Sequence, residues 1–254
     1  MIQLSERLKI IADNIFNGKT MADIGTDHGF LPLYLWQNKI CRKMIMTDVS
    51  SGSLAKAEEN VRRYCAENGV AKTPFEFRLG DGLSVIKPGE VRSIVIAGMG
   101  GVLISKILGA CPKKTISFDT YILQPRNGVG KLRFWLEVAG FTIVSEYLAR
   151  EGKYICEIIV AVSPMYEFGS DDVIHDDVDR EVLDDIVYEI PTKIPASQKE
   201  LFLSFLENKL KIEEKILADI LMGNAEAADK ITYTEKRIKY LRDLLETELL
   251  LNPQ

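Results

Sequence analysis

Hydrophobic and polar positions change period along the chain, and each period predicts a different kind of element. From Thr20 to Ser163 short apolar runs alternate with longer amphipathic stretches, the pattern of a mostly parallel sheet covered by helices. The runs are TMADI (20–24), MIMTD (44–48), FEFRL (75–79), SIVIA (93–97) and FDTYIL (118–123). Ahead of them Leu4, Leu8, Ile11 and Ile15 recur at helical spacing, with Ser5 placed to cap a helix expected to lie across the top of the sheet. After them FTIVSEYLAR (141–150) and KYICEIIVAV (153–162) predict two strands joined by a hairpin turn at Glu151-Gly152.

The rhythm breaks near residue 164. Residues 164–197 contain Pro164, Gly169, a cluster of aspartates, Pro191 and Pro195, which predicts a partly helical, solvated acidic connector. Residues 198–254 carry two long helical patterns broken at Met222-Gly223-Asn224. The first has Leu203, Leu206, Leu210, Leu217 and Ile220 in a stripe, and the second Ile231, Ile238, Leu241, Leu245 and Leu249. An antiparallel, coiled-coil-like hairpin follows, with Lys209, Lys211, Lys215, Lys236, Arg237, Lys239 and Arg242 expected on its outward faces. Those cations either grip phosphates or keep the hairpin in solution. The domains expected are therefore 1–163, a connector over 164–197, and a helical hairpin over 198–254.

Composition narrows the class. With 254 residues, 46% of them hydrophobic, the chain can fill a sizeable core. Glu6, Arg7, Lys9 and Asp13 interrupt the first fifteen residues, so no secretory apolar segment is expected there, and no window approaches the length of a membrane span. Cys41, Cys65, Cys111 and Cys156 stand singly and the only histidines are His28 and His175. That spacing argues against a disulfide scaffold and a zinc site, and predicts a reducing, cytoplasmic setting with no metal. The net charge of −5 is uneven: residues 1–162 carry +5, residues 163–198 carry −8 and residues 199–254 carry −2. A basic body with an acidic connector can hold a polyanion on one face.

Five strand–helix repeats closed by a hairpin predict the α/β, Rossmann-like layout of a class I methyltransferase with a seven-stranded sheet; a dinucleotide dehydrogenase would continue with parallel crossovers. The first strand runs into Asp23-Ile24-Gly25-Thr26-Asp27-His28-Gly29, whose GxxxG spacing differs from the GxGxxG of dinucleotide folds. Asp23 at the strand end suits an ammonium better than a phosphate. Asp48 ends the second strand 25 residues later, where nucleoside-binding folds place a carboxylate on ribose hydroxyls. Gly80-Asp81-Gly82 closes the third strand, giving an acceptor for an adenine amino group between two glycines. Ala97-Gly98-Met99-Gly100-Gly101 follows the fourth strand, where glycines let backbone line a cleft, and Leu123-Gln124-Pro125-Arg126-Asn127 follows the fifth.

DIGTDHGFLP (23–32), TDVSSGSLAKAEENV (47–61), RLGDGLSVI (78–86), AGMGG (97–101) and LQPRN (123–127) together resemble the bacterial tRNA adenine(22)-N1-methyltransferases, the TrmK family. The resemblance spans residues 4–162 in order and extends to the helical hairpin. It implies methylation of N1 of an adenine in the tRNA D-arm, with S-adenosyl-L-methionine as donor. Carried over by position, Asp23 and Gly25 border the methionine part of the donor, Asp48 the ribose, and Asp81 with Gly82 the adenine, with Ile24, Val49, Gly80 and Ala97 also expected to bind the cofactor. Gly98 and Met99 line the floor beneath the reacting methyl. The stretch LQPRN departs from the LQPN expected of the family by the inserted Arg126.

Adenine N1 has a lone pair, so the chemistry calls for placement and charge compensation and not for a strong base. Asp27 is the candidate to accept from N6 and His28 the second, with Asn127 or Arg126 touching the acceptor and Phe30 or Tyr34 stacking on it. Docking of tRNA is expected to be electrostatic and shape-based. A small-molecule or protein acceptor, or a non-catalytic RNA- or nucleoside-binding module, would suit the same residues. The oligomeric state stays open at this level.

Overall fold

The computed structural model describes residues 2–70, 73–164, 185–223 and 228–250, which form two compact units, Met1–Lys193 and Ile194–Gln254. The larger unit is built on seven strands: β1 (Lys19–Ile24), β2 (Cys41–Asp48), β3 (Phe75–Leu79), β4 (Ser93–Met99), β5 (Thr120–Pro125), β6 (Thr142–Glu151) and β7 (Tyr154–Val162). Their order across the sheet is β3-β2-β1-β4-β5-β7-β6. The first five pair in parallel, and β7 runs antiparallel to both β5 and β6. Strands are added outward on one side from β1 to β3 and on the other from β4 onward, so the strand order reverses between β1 and β4. Ligands of open α/β sheets bind at the carboxyl ends of the strands at such a switch point.

The central runs are apolar throughout because helices cover both faces. Helices α1 (Glu6–Asp13), α2 (Phe30–Gln37) and α3 (Ser51–Glu67) supply Ile11, Leu33 and Val61 to one core, into which Met44 and Met46 of β2 project. Helices α4 (Gly101–Gly109) and α6 (Val129–Val138) supply Ile104, Leu108, Leu132 and Leu136 to the other, with Ile45 of β2, and the single turn α5 (Pro112–Thr115) follows α4. Alternation along β2 thus divides its side chains between the two layers. Ser5 caps α1, its Oγ accepting the Leu8 N–H at 3.4 Å, and the helix packs against β6 and β7. Glu6 accepts the Arg150 N–H at 3.2 Å and Arg7 Nε donates to Glu151 at 3.1 Å, pinning α1 to β6.

The β6–β7 turn is Gly152-Lys153, one residue on from the expected Glu151-Gly152, because Glu151 still pairs with Tyr154. The first central position of this turn has φ +60°, which glycine adopts without strain. Residues 165–184, including His175 and most of the aspartate cluster, lie outside the described residues. Residues 185–193 pack on the larger unit: Arg133 Nη1 donates to Tyr188 O at 2.9 Å, and Glu146 Oε2 accepts the N–H groups of Thr192 and Lys193 at 2.7 and 3.2 Å.

In the smaller unit α7 (Lys199–Met222) and α8 (Ala228–Leu250) lie antiparallel, with Lys199 bonded to Glu248 and Glu213 to Arg237. Asn224 lies outside the described residues. The seam buries Phe202, Phe205, Leu206, Ile238 and Leu241, whereas Leu249, expected within it, is exposed. Arg237 also departs from its expected outward position. It shares a helix face with Thr234, Ile238 and Leu241, and is buried with its Nη2 on Glu213 Oε1 at 2.7 Å. Arg242 is exposed, as expected, and donates to Glu214 at 2.7 Å.

Candidate active site

The loops at the carboxyl ends of β1, β2, β3 and β4 surround one cavity of about 570 Å³, a size typical of small-molecule sites. The loop after β1 reaches it by an irregular path: Gly25, Asp27 and Gly29 all have positive φ, at +76°, +49° and +68°. The Gly25 and Thr26 N–H groups donate to Thr47 O at 2.8 and 3.0 Å, lashing this loop to β2. A Cβ at Gly25 would lie 2.3 Å from Met99 Cε, so the glycine is what lets the loops after β1 and β4 approach one another.

Asp23 is buried, and the Thr26 hydroxyl donates to its Oδ2 at 2.7 Å. Burial pushes its carboxyl up to about 6; the neighbouring Asp48 adds to the rise, while Thr26 and Arg7 oppose it. No ion pair to Asp23 is present among the described residues. Asp48 accepts the Ser50 N–H at 2.8 Å, and Ser50 caps α3 by accepting the Ser53 N–H at 3.2 Å. One carboxylate therefore both holds the residue that caps α3 and faces the cavity. The Gly80 N–H donates to Asp48 O at 3.0 Å, joining the loops after β2 and β3, and Asp81 stands exposed beside them. Val49 and Leu103, both exposed apolar residues, complete a greasy rim on this side.

The loop after β4 is fixed from β5. Gln124, buried, accepts the Gly98 N–H on Oε1 at 3.1 Å and an Arg7 Nη1–H on the same oxygen at 3.0 Å. Gly101, which opens α4, donates its N–H to Asn127 O at 2.8 Å; a Cβ there would lie 2.3 Å from Gly128 O. At the mouth, Asp27 Oδ2 bonds His28 Nδ1 at 2.7 Å, and the His28 ring stacks on Phe30 with centroids 5.5 Å apart.

Every residue expected at the donor lines this cavity: Asp23, Ile24, Gly25, Asp48, Val49, Gly80, Asp81, Gly82, Ala97, Gly98 and Met99. So do Asp27, His28, Phe30 and Arg126 of the expected acceptor groups. Asn127 does not, because its carbonyl is bonded to the start of α4 and its Oδ1 lies against Gly100. Tyr34 is also outside the lining, its ring instead beneath Lys9 Nζ at 5.6 Å. Sequence reasoning passed over Arg7 and Gln124. Gln124 did leave a signal, a lone polar residue inside the apolar run YILQP, whereas Arg7 is one charge among several in an amphipathic helix.

The lining carries the carboxylates of Asp23, Asp27, Asp48 and Asp81, the guanidiniums of Arg7 and Arg126, and the His28 imidazole. Such a set is suited to binding and positioning a ligand that carries both charged groups and hydroxyls. Among the described residues no group of three His, Cys, Asp or Glu side chains is placed to hold a metal ion, and no helix is long and apolar enough to cross a membrane.

This sheet order with its strand-end acids defines a class I methyltransferase, and a family model described as a methyltransferase domain matches residues 4–159. The tRNA (adenine(22)-N(1))-methyltransferase of Bacillus subtilis (strain 168) is 36% identical over 177 residues, 70% of each chain. The crystal structure of the B. subtilis M1A22 tRNA methyltransferase TrmK matches with a TM-score of 0.69 and 28% identity over 98% of both chains. The structure of M. capricolum TrmK in complex with S-adenosyl-homocysteine has the same fold, at a TM-score of 0.71 and 24% identity over 96% of this chain and 98% of that one. The chain belongs to the tRNA (adenine(22)-N1)-methyltransferase family.

Proposed function

We propose that this chain transfers a methyl group from S-adenosyl-L-methionine to N1 of adenine 22 in the D-arm of tRNA, in the cytoplasm. The observation that carries this reading is the gathering of Asp23, Asp48 and Asp81, each from the end of its own strand, around one cavity in a chain of this family. The cavity suits the donor chemically. A buried carboxylate with no ion pair among the described residues suits an ammonium, a second carboxylate suits ribose hydroxyls, and an exposed third stands beside glycines where an adenine ring needs room.

The donor supplies an electrophilic methyl on a sulfonium, whose loss leaves a neutral thioether. Gly98 and Met99 form the floor between donor and acceptor, held by Gln124 and by the Arg126 N–H on Met99 O at 2.8 Å. Asp27 accepts from adenine N6, which orients the base and balances the positive charge that methylation places on it. His28, held by Asp27 and stacked on Phe30, presents an aromatic surface at the mouth, where an unstacked base would enter. Transfer is assigned to the domain of residues 1–163. Its excess of positive charge, with exposed Lys211, Lys215, Lys236 and Lys239 of the hairpin, contacts tRNA phosphates.

The test is transfer of labelled methyl to unmodified tRNA carrying adenine or guanine at position 22, followed by nucleoside analysis. Formation of 1-methyladenosine at position 22, absent with guanine there, supports the reading. Donor binding without transfer to either tRNA overturns the acceptor assignment and points to a small-molecule or protein acceptor.

A further inference from the structure

Arg126 is a guanidinium of the cavity lining whose side chain the donor reading leaves idle. It follows β5, and its N–H donates to Met99 O at 2.8 Å, so its backbone is fixed to the loop after β4. The side chain is exposed, but its head folds back over Gly98, with Nε and Nη2 each 3.6 Å from where a Cβ on that residue would stand. Gly98 has φ +79°, which glycine adopts without strain, and its lack of a side chain leaves the guanidinium room on the floor.

Other guanidiniums of this unit are held by acids. Arg7 is bonded to Glu151 and Gln124, Arg78 to Glu76 and Glu90, and Arg133 to Glu146 and Glu157. Among the described residues the Arg126 side chain has no hydrogen bond and no ion pair. Glu151 is near enough to feel its charge, yet that carboxylate already receives Arg7 Nε at 3.1 Å. Asp23 feels Asp48 and Arg7 but not Arg126, which sets this cation apart from the buried acid of the donor side.

An unpaired cation on the floor runs against the charge of the reaction. The donor brings a sulfonium and transfer leaves a positive charge on the base, so a guanidinium here is unfavourable to both unless the acceptor brings an anion with it. An unstacked nucleotide turned into the cavity keeps its flanking phosphates at the mouth. Phosphate is the anion that every tRNA acceptor carries, and a planar fork of N–H donors fits two of its oxygens. We infer that Arg126 binds a phosphate flanking the target adenosine and so fixes how far the base reaches over Gly98. The inference rests on the tRNA reading given above and adds to it a residue and the acceptor group that it holds.

Two tRNAs test this on the full chain: one unmodified, and one with neutral methylphosphonate linkages on both sides of nucleotide 22. Arg126→Ala is expected to weaken binding of unmodified tRNA about tenfold while leaving S-adenosylhomocysteine within about twofold of the original chain. The original chain should lose a similar factor on the methylphosphonate tRNA, and Arg126→Ala should lose little more, because both changes remove the same contact. Arg126→Lys, which keeps the charge without the fork, is expected to fall between. Additive losses overturn the inference, since the residue and the two phosphates would then act independently. Unchanged tRNA binding in Arg126→Ala overturns it too, leaving Arg126 a solvated surface charge. Equal weakening of S-adenosylhomocysteine also overturns it, by making Arg126 a brace for Gly98 and Met99. If the original chain binds S-adenosylhomocysteine but transfers no methyl to unmodified tRNA, the acceptor reading itself fails and this inference with it.

Discussion

Asp23 and Glu146 are carboxylates of the same unit, 6% and 1% exposed, yet their surroundings differ in kind. Glu146 receives Arg133 Nε at 2.6 Å on one oxygen and the N–H groups of Thr192 and Lys193 on the other. Arg133 in turn donates to Glu157 at 2.6 Å and to Tyr188 O, and its guanidinium is held protonated by the two acids. Every charge in that knot is answered by protein, and the result is mechanical: α6, β6, β7 and residues 185–193 are tied together. Among the described residues Asp23 has one hydroxyl donor and no ion pair, and its carboxyl is raised to about 6. A buried charge that protein fully satisfies is structure, whereas one left partly unsatisfied beside a cavity is a place for a ligand.

The largest effect that separates the two is on stability. Glu146→Ala leaves Arg133 with one fewer counter-charge and two backbone N–H groups without an acceptor, and is expected to cost about 3–5 kcal/mol in urea unfolding. Asp23→Asn is expected to do the reverse. The folded carboxyl is raised above its unfolded value, so below about pH 4 both states are protonated and the residue is neutral in effect. Between about pH 4 and 6 the unfolded chain releases the proton first, and stability falls as pH rises; above 6 the penalty is complete, about 3 kcal/mol from a shift of that size. The asparagine variant escapes that penalty, so its stability relative to the original chain should climb across pH 4–6 and level off above it. Donor affinity should move oppositely, rising with pH through 6 in the original chain and staying low in Asp23→Asn. A flat difference in stability across this range would show that Asp23 is as well satisfied as Glu146.

The two regions were also unequally legible in the sequence. Asp23, Asp48 and Asp81 could be placed because each ends an apolar run and abuts glycine or a small residue, and strand ends are where a parallel sheet binds ligands. The Arg133–Glu146–Glu157 knot left no such trace. Its members lie 13 and 11 residues apart, on a helix and two antiparallel strands, and only pairing of β6 with β7 brings them together. Arg7 was hidden for the same reason: its partners Gln124 and Glu151 are 117 and 144 residues away. Asn127 shows the opposite failure. It sat in a strand-end loop, but the glycines at 101 and 128 let that loop close on α4, and its carbonyl went to a helix start while Arg126 took the cavity. Periodicity gave the hairpin seam, yet a stripe cannot distinguish an exposed leucine in the last turn of a helix from one inside, or a surface arginine from one facing Glu213.

Within the cavity, Asp48 and Asp27 refine the comparison at smaller scale. Both are acids on loops, but Asp48 is braced by the Ser50 N–H and Asp27 by an exposed histidine. On the proposed reading, in which Asp48 accepts from the two ribose hydroxyls, Asp48→Ala should weaken the donor by about 2–3 kcal/mol, seen by titration with S-adenosylhomocysteine. The smallest effect is expected at Asp27, which is exposed and shares its position with His28. Asp27→Ala should slow single-turnover methyl transfer about tenfold, near 1.4 kcal/mol, with donor affinity changed less than about twofold, because its proposed partner is the N6 of the acceptor base. If Asp27→Ala weakens the donor as much as Asp48→Ala does, Asp27 belongs to the donor site and the charge on the methylated base must be balanced from elsewhere in the cavity.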